Sequence, residues 1–194
     1  MPKSAKYWAA LAVVALLQIG FLAKMAFDRV ALIKSGREIA LQVIPIDPRD
    51  IFRGEYVTLG YDISQIPAPK GGSDNFADSL QRSTPLYVTL TPGADGAWTA
   101  KELSRDYPKT VAPSDVVLKG HVRATFRAGN ETVDTVAVRY GIESYFVPEG
   151  AGKALEEGVR DKKVQALIAV GTDGTAALKG LIVGGERHED PPLL

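Results

Sequence analysis

Four acids, Asp47, Asp50, Glu55 and Asp62, and two arginines, Arg49 and Arg53, crowd into one short stretch of the chain, Asp47-Pro48-Arg49-Asp50-Ile51-Phe52-Arg53-Gly54-Glu55-Tyr56 and the residues just after it. Two such carboxylates could act as the acid and the base of a glycoside hydrolysis, one protonated and one ionised. Asp47 and Asp50 could instead offer oxygen ligands to a hard cation. Neither use is fixed by the spacing. The same side chains can simply close a turn: Asp47 caps the bend after Pro45, Arg49 or Arg53 forks onto a neighbouring carboxylate or carbonyl, and Gly54 supplies the bend into the next strand. A third use is a contact surface, since arginine and tyrosine are the side chains on which interface energy concentrates. The pattern assigns no catalytic residue, no metal ligand and no cofactor.

The rest of the sequence narrows the choice by what it lacks. Among 194 residues there is no cysteine, which removes disulfides, thiolate nucleophiles and Cys-built metal sites. The two histidines, His121 and His188, are too few and too far apart in sequence to suggest a His-built metal centre. His121 falls in an expected strand, where a lone histidine is ordinarily a hydrogen-bonded packing residue. Basic and acidic side chains balance at 23 each, so the electrostatic footprint of a nucleic-acid binder is missing. The glycine pairs Gly71-Gly72 and Gly184-Gly185 lack the Lys-Ser/Thr of a phosphate loop.

The elements that must position the cluster begin with a membrane-type segment. From Tyr7 to Ala23 the one strongly polar residue is Gln18, and the apolar run continues through Met25-Ala26-Phe27 to Asp28. At ~1.5 Å per residue, Tyr7 to Phe27 reaches roughly 31 Å, one hydrocarbon core. Tyr7 and Trp8 suit one interface, and Lys24 can snorkel to the other. No small-residue cleavage pair follows the run, so an uncleaved anchor is expected in place of a signal peptide. The basic tail, with Lys3 and Lys6, is expected inside and the domain outside.

Beyond residue 36 the period shortens to two. Ile39, Leu41 and Val43 alternate as in a half-buried strand, and Tyr56–Ile63 reads as a second strand. Residues 86–91 and 98–103 form a hairpin across Asp95-Gly96, and residues 164–170 and 175–183 form another across Asp173-Gly174. A helix is expected over Glu149–Lys162, with Leu155 and Val159 on one face. Val43 with Val122, Tyr61 with Tyr140, Val88 with Leu167, and Asp95-Gly96 with Asp173-Gly174 all recur at a displacement of 78 or 79 positions. This predicts two pseudo-repeated halves, about 37–112 and 113–185, of one mainly β (α+β) domain, a sandwich or partly closed barrel. Residues 1–36 form the tail and transmembrane anchor, and 186–194 a flexible tail.

The run Gly54-Glu55-Tyr56-Val57-Thr58-Leu59-Gly60-Tyr61 resembles the bacterial family named for its Gly-Asp-Tyr-x-x-Leu-x-Tyr motif, with Glu55 in place of the aspartate. The stretch from Pro45 to Arg53 resembles what precedes that motif, and Tyr140-Gly141-Ile142-Glu143-Ser144-Tyr145-Phe146-Val147-Pro148-Glu149-Gly150 resembles the family's second half. The resemblance covers most of the chain after the anchor and brings no catalytic residue with it. It implies a membrane-anchored domain that accompanies a multi-spanning membrane protein. The expected function is therefore that of an extracytoplasmic accessory or interaction module on a bacterial inner membrane, its soluble part periplasmic and its motif residues Asp47, Arg49, Asp50, Arg53, Gly54, Glu55, Tyr56, Leu59 and Tyr61. The alternative is a small-ligand or carbohydrate-binding domain, or a hydrolase, using Asp47, Asp50 and Glu55.

Overall fold

A computed structural model describes residues 3–45, 56–68, 76, 79–94, 96–127, 133–146 and 152–189. Within it α1 (Lys3–Ser35) is one unbroken helix of 33 residues, long and apolar enough to cross a membrane. Tyr7, Trp8, Leu16, Phe21 and Phe27 are all exposed, and they stand on different sides of the rod. Lys24 and Asp28, one turn apart, pair at the end of the apolar stretch.

The last two turns behave differently. Val30 to Ile33 are half-buried, packed on the hairpin of β10 (Val164–Val170) and β11 (Ala176–Val183). Arg29 Nη1 donates to the Ala176 carbonyl at 2.9 Å, and Gly36 N–H donates to the Leu32 carbonyl at 2.8 Å. The chain then enters β1 (Arg37–Ile44) directly, with no linker. Arg37 seals the junction from the other side. Its Nη1 donates to the Pro113 and Asp115 carbonyls and its Nη2 to that of Ser114, at 2.8 to 2.9 Å, while the guanidinium lies 5.9 Å from the Trp98 ring centre.

Two five-stranded antiparallel sheets follow. In the first the order is β12-β11-β10-β1-β3, with β3 at Gly60–Tyr61 and β12 at Glu186–Glu189. In the second it is β4-β8-β7-β5-β6: β4 (Gln65–Pro67), β5 (Pro85–Pro92), β6 (Trp98–Ser104), β7 (Val116–Arg127) and β8 (Val133–Arg139). A short ribbon of β2 (Tyr56–Thr58) and β9 (Ser144–Phe146) stands beside them. Alternation in β1 puts Ile39, Leu41 and Val43 inward, where they join Val88, Leu90, Leu118, Val136 and Ile168 in one apolar cluster. α2 (Gly152–Arg160) adds Leu155 and Val159 to it. The result is mainly β, a partly closed barrel-like arrangement behind an apolar N-terminal helix.

The halves 37–112 and 113–185 exchange hairpins between the sheets: hairpin β5–β6 of the first half pairs with β7 of the second, and hairpin β10–β11 of the second pairs with β1 of the first. Two expectations need correction. Tyr56–Ile63 is not one strand, because the chain leaves β9 at Thr58 and joins β1 at Gly60. Residues 186–189, expected as part of a flexible tail, form β12. Their lack of periodicity follows from all four side chains being exposed at a sheet edge. Gly180 permits the pairing, since a Cβ there would stand 2.2 Å from the His188 carbonyl oxygen. Residues 190–194 lie outside the described part.

Gly36 tests the helix junction. An added Cβ would lie 2.6 Å from the Leu32 carbonyl oxygen and 3.1 Å from both the Val170 nitrogen and the Ala169 Cβ, two of the three being backbone that cannot yield cheaply. Gly36→Ala is expected to destabilise the detergent-solubilised full chain by ~1–3 kcal/mol, a fall of roughly 3–10 °C in Tm by calorimetry. Gly20→Ala, where nothing lies within 4 Å, serves as the control and should leave Tm unchanged. Equal melting of the two variants would mean that the helix end is not docked.

Candidate functional site

The motif closes on the second half of the chain. Its β2 pairs with β9 in the register Tyr56 with Phe146, Val57 with Tyr145 and Thr58 with Ser144. Leu59 N–H then donates to the Glu143 carbonyl at 2.7 Å, and Leu59 itself is 1% exposed. Tyr61, placed opposite Val43 by β3, is also 1% exposed. Its hydroxyl donates to the Ile142 carbonyl at 2.7 Å. Tyr140 reaches back the other way, its hydroxyl donating to the Ile63 carbonyl at 2.6 Å. Each half thus presents one phenol to a backbone carbonyl of the other half.

Glu143 fixes the turn that makes this reach possible. Gly141 takes φ +82°, a left-handed conformation that suits glycine, and turns the chain between the end of β8 and the start of β9. The Glu143 carboxylate accepts the N–H groups of Tyr140 and Gly141, and Arg139 Nε lies 3.9 Å away at the surface end. Burial, with the Glu143 charge adding to it, pushes both phenols far above the ordinary tyrosine range. Both hydroxyls are therefore neutral donors already in use. The arrangement is a clasp, and it has no nucleophile with a base beside it.

This corrects the expectation that Tyr61 belongs to an exposed contact surface: it is a core residue, and so is Leu59. Tyr56 enters the clasp through its backbone. Asp47, Arg49, Asp50, Arg53, Gly54 and Glu55 lie outside the described residues. The half of the clasp that the motif alone misses is Tyr140, Gly141 and Glu143. Its sequence signal is the 79-residue displacement between Tyr61 and Tyr140.

A second feature lies where α1 meets the domain. A cleft of about 630 Å³ is lined by Leu32, Ser35, Arg37, Tyr107, Asp115 and Asp173, among others. Its acids are engaged from within. Asp115, nearly buried, takes Lys101 Nζ at 2.7 Å and the Ser114 hydroxyl at 3.2 Å, and the Lys101 bond foremost holds its carboxyl below the usual range. Asp173 accepts the Thr175 hydroxyl at 2.7 Å and its N–H at 3.0 Å, with the same direction of shift and Thr175 as its cause. Neither carboxyl is raised toward the proton donor that an acid–base pair requires. Among the described residues no three His, Asp or Glu side chains gather closely enough to hold a metal ion.

A family model described as GDYXXLXY protein matches residues 18–181, which take in both halves of the clasp and most of the chain. No curated protein and no solved structure matches.

The clasp predicts an alkaline instability. An unfolded tyrosine ionises near pH ~10, while the buried phenols hold their protons, so the folded state binds more protons above that pH. Their stabilising contribution is complete below pH ~10 and is lost progressively as pH rises above it toward the raised folded-state range. Tyr61→Phe and Tyr140→Phe should each destabilise by about 1–3 kcal/mol at neutral pH, through the carbonyl left unpaired. The double variant should also lose much of the wild type's fall in stability between about pH 9 and pH 11 in urea titrations. An unchanged alkaline slope would remove these two phenols as its source.

Proposed function

The chain belongs to the GDYXXLXY family, and from that premise we propose that it is a single-pass, membrane-anchored accessory domain that docks on a multi-spanning membrane protein, with its soluble part on the periplasmic side of a bacterial inner membrane. The observation that carries this reading is the junction of α1 with the sheets. An apolar helix with none of its membrane-length stretch buried runs without a break into turns packed on β10 and β11. About 21 residues from Tyr7 to Phe27 match the hydrocarbon thickness, and only Asp28 to Ser35, roughly 12 Å of helix, separate that stretch from β1. The domain is thereby kept at headgroup height, where a membrane partner meets it at high effective concentration. The basic tail at Lys3 and Lys6 supports its orientation.

We also read the soluble domain as an internal repeat, with β1, β3, β5 and β6 corresponding to β7, β8, β10 and β11. Two observations support this: β1 pairs with β10 as β7 pairs with β5, and the Tyr61 and Tyr140 bonds are exchanged between the halves. Because the clasp consumes Leu59 and Tyr61, the part of the motif left for a partner is its charged beginning, with Arg53 the natural anchor.

Cross-linking in native membranes followed by affinity capture should recover one multi-spanning protein in near-equal amount with wild type. Arg53→Ala, its folding verified by an unchanged melting curve, should reduce that recovery tenfold or more, corresponding to about 1.4 kcal/mol or more. A C-terminal alkaline-phosphatase fusion should be active, as the enzyme folds only outside the cytoplasm. Capture at background level with a folded wild-type chain would count against an accessory role.

A further inference from the structure

Gln18 is the one strongly polar residue between Tyr7 and Ala23, and it lies one position from the midpoint of Tyr7–Phe27. Among the described residues its side-chain amide has no hydrogen-bonding partner, and the helix around it is wholly exposed. A primary amide carries two donors and an acceptor. At the centre of a bilayer it cannot reach water, and the short side chain does not extend to the interface as Lys24 does. Such residues are satisfied by a second helix.

The helix itself says where that second helix lies. Met25, Arg29, Leu32 and Gly36 follow Gln18 at intervals of 7, 11, 14 and 18 residues, which places them along one face. Arg29 on that face bonds the Ala176 carbonyl. Leu32 meets the sheet beside Gly171, and Gly36 meets it at Val170. The soluble domain therefore overhangs the side of α1 on which Gln18 sits.

This placement selects the occupant. Two copies joined through Gln18 would hold their helices ~8–10 Å apart, with both soluble domains on the inner side. A domain of about 150 residues has a radius of gyration near 15 Å, so the two would claim the same volume directly above the crossing. A helix of a different protein, joined to its neighbours by short loops, fits beneath the overhang. We propose that the Gln18 face of α1 seats a transmembrane helix of a second protein, which presents a hydrogen-bonding side chain at the midplane and lies under the soluble domain. The assignment rests on the anchored reading above and specifies the partner's intramembrane contact.

The test uses the full chain in its native membranes, with a photo-cross-linking residue placed singly at Leu11 or Leu22, beside Gln18, or at Leu16 or Ala23 on the opposite side. Leu11 and Leu22 should yield an adduct with one other protein, and the cross-linked peptide should map by mass spectrometry to an apolar span of about 20 residues. Leu16 and Ala23 should yield little. Gln18→Leu should reduce the adduct roughly fivefold or more, and Gln18→Asn should restore part of it. Adducts between two copies of this chain, equal yields from both faces, or an adduct indifferent to Gln18→Leu would each overturn the assignment. Carbonate extraction separates its failure from that of the reading beneath it. A chain that stays in the membrane and still captures its partner through the domain, without helix adducts, refutes the Gln18 contact alone, whereas a chain released by carbonate refutes the anchor.

Discussion

Two buried phenols, each hydrogen-bonded to a carbonyl two residues beyond the other, hold the domain's two halves to a single register. Tyr61 bonds Ile142 and Tyr140 bonds Ile63, so sliding either segment by one residue breaks both bonds at once and leaves two carbonyls without partners in the core. Leu59 and Glu143 reinforce the same alignment through the backbone, and the Glu143 carboxylate holds the Gly141 turn that lets the second half approach. The spacing Tyr-x-x-Leu-x-Tyr then has a structural meaning. The first tyrosine opens β2 against β9, the leucine crosses to the core, and the second tyrosine arrives beside β1 with its hydroxyl directed at the other half.

The exchange of hairpins between the sheets has a similar effect on the whole domain. Since β1 pairs with β10 and β7 with β5, neither half can complete a sheet without the other. Folding is committed to contacts between residues more than a hundred positions apart, such as Ile39 with Ile168. The free edge at β12 is protected by charge: Arg187 bridges Glu38 and Glu189, and Lys179 joins Glu38. That charge discourages a further strand from adding to the sheet.

Much of this architecture was legible from local pattern. The alternation of Ile39, Leu41 and Val43 identifies the inward face of β1. The two Asp-Gly pairs announce hairpins, and Gly96 and Gly174 take the positive φ that those turns need, +79° and +85°. The family was legible too, because its motif is short and contiguous. What escaped depends on residues distant in sequence. Nothing local distinguishes Tyr61, buried, from a tyrosine on a contact surface, since its placement depends on Val43 and Ile142. The strand at Glu186–Glu189 has no apolar residue to mark it and depends on the space at Gly180. Arg37 counts in the sequence as one more positive flank residue, yet it is spent on three carbonyls at 113–115.

The rigid passage from α1 into β1 also sets a phase relation. With Arg29, Leu32 and Gly36 all docked, the helix and the sheets turn as one body about the helix axis. One residue inserted between Phe27 and Arg29 would rotate the soluble domain by about 100° relative to Gln18 and lift it by ~1.5 Å. Seven inserted residues would bring the domain back to within about 20° of its original bearing but carry it ~10 Å further along the helix axis from Gln18. The length of this helix thus encodes a compass bearing as well as a height, and the two can be altered almost independently.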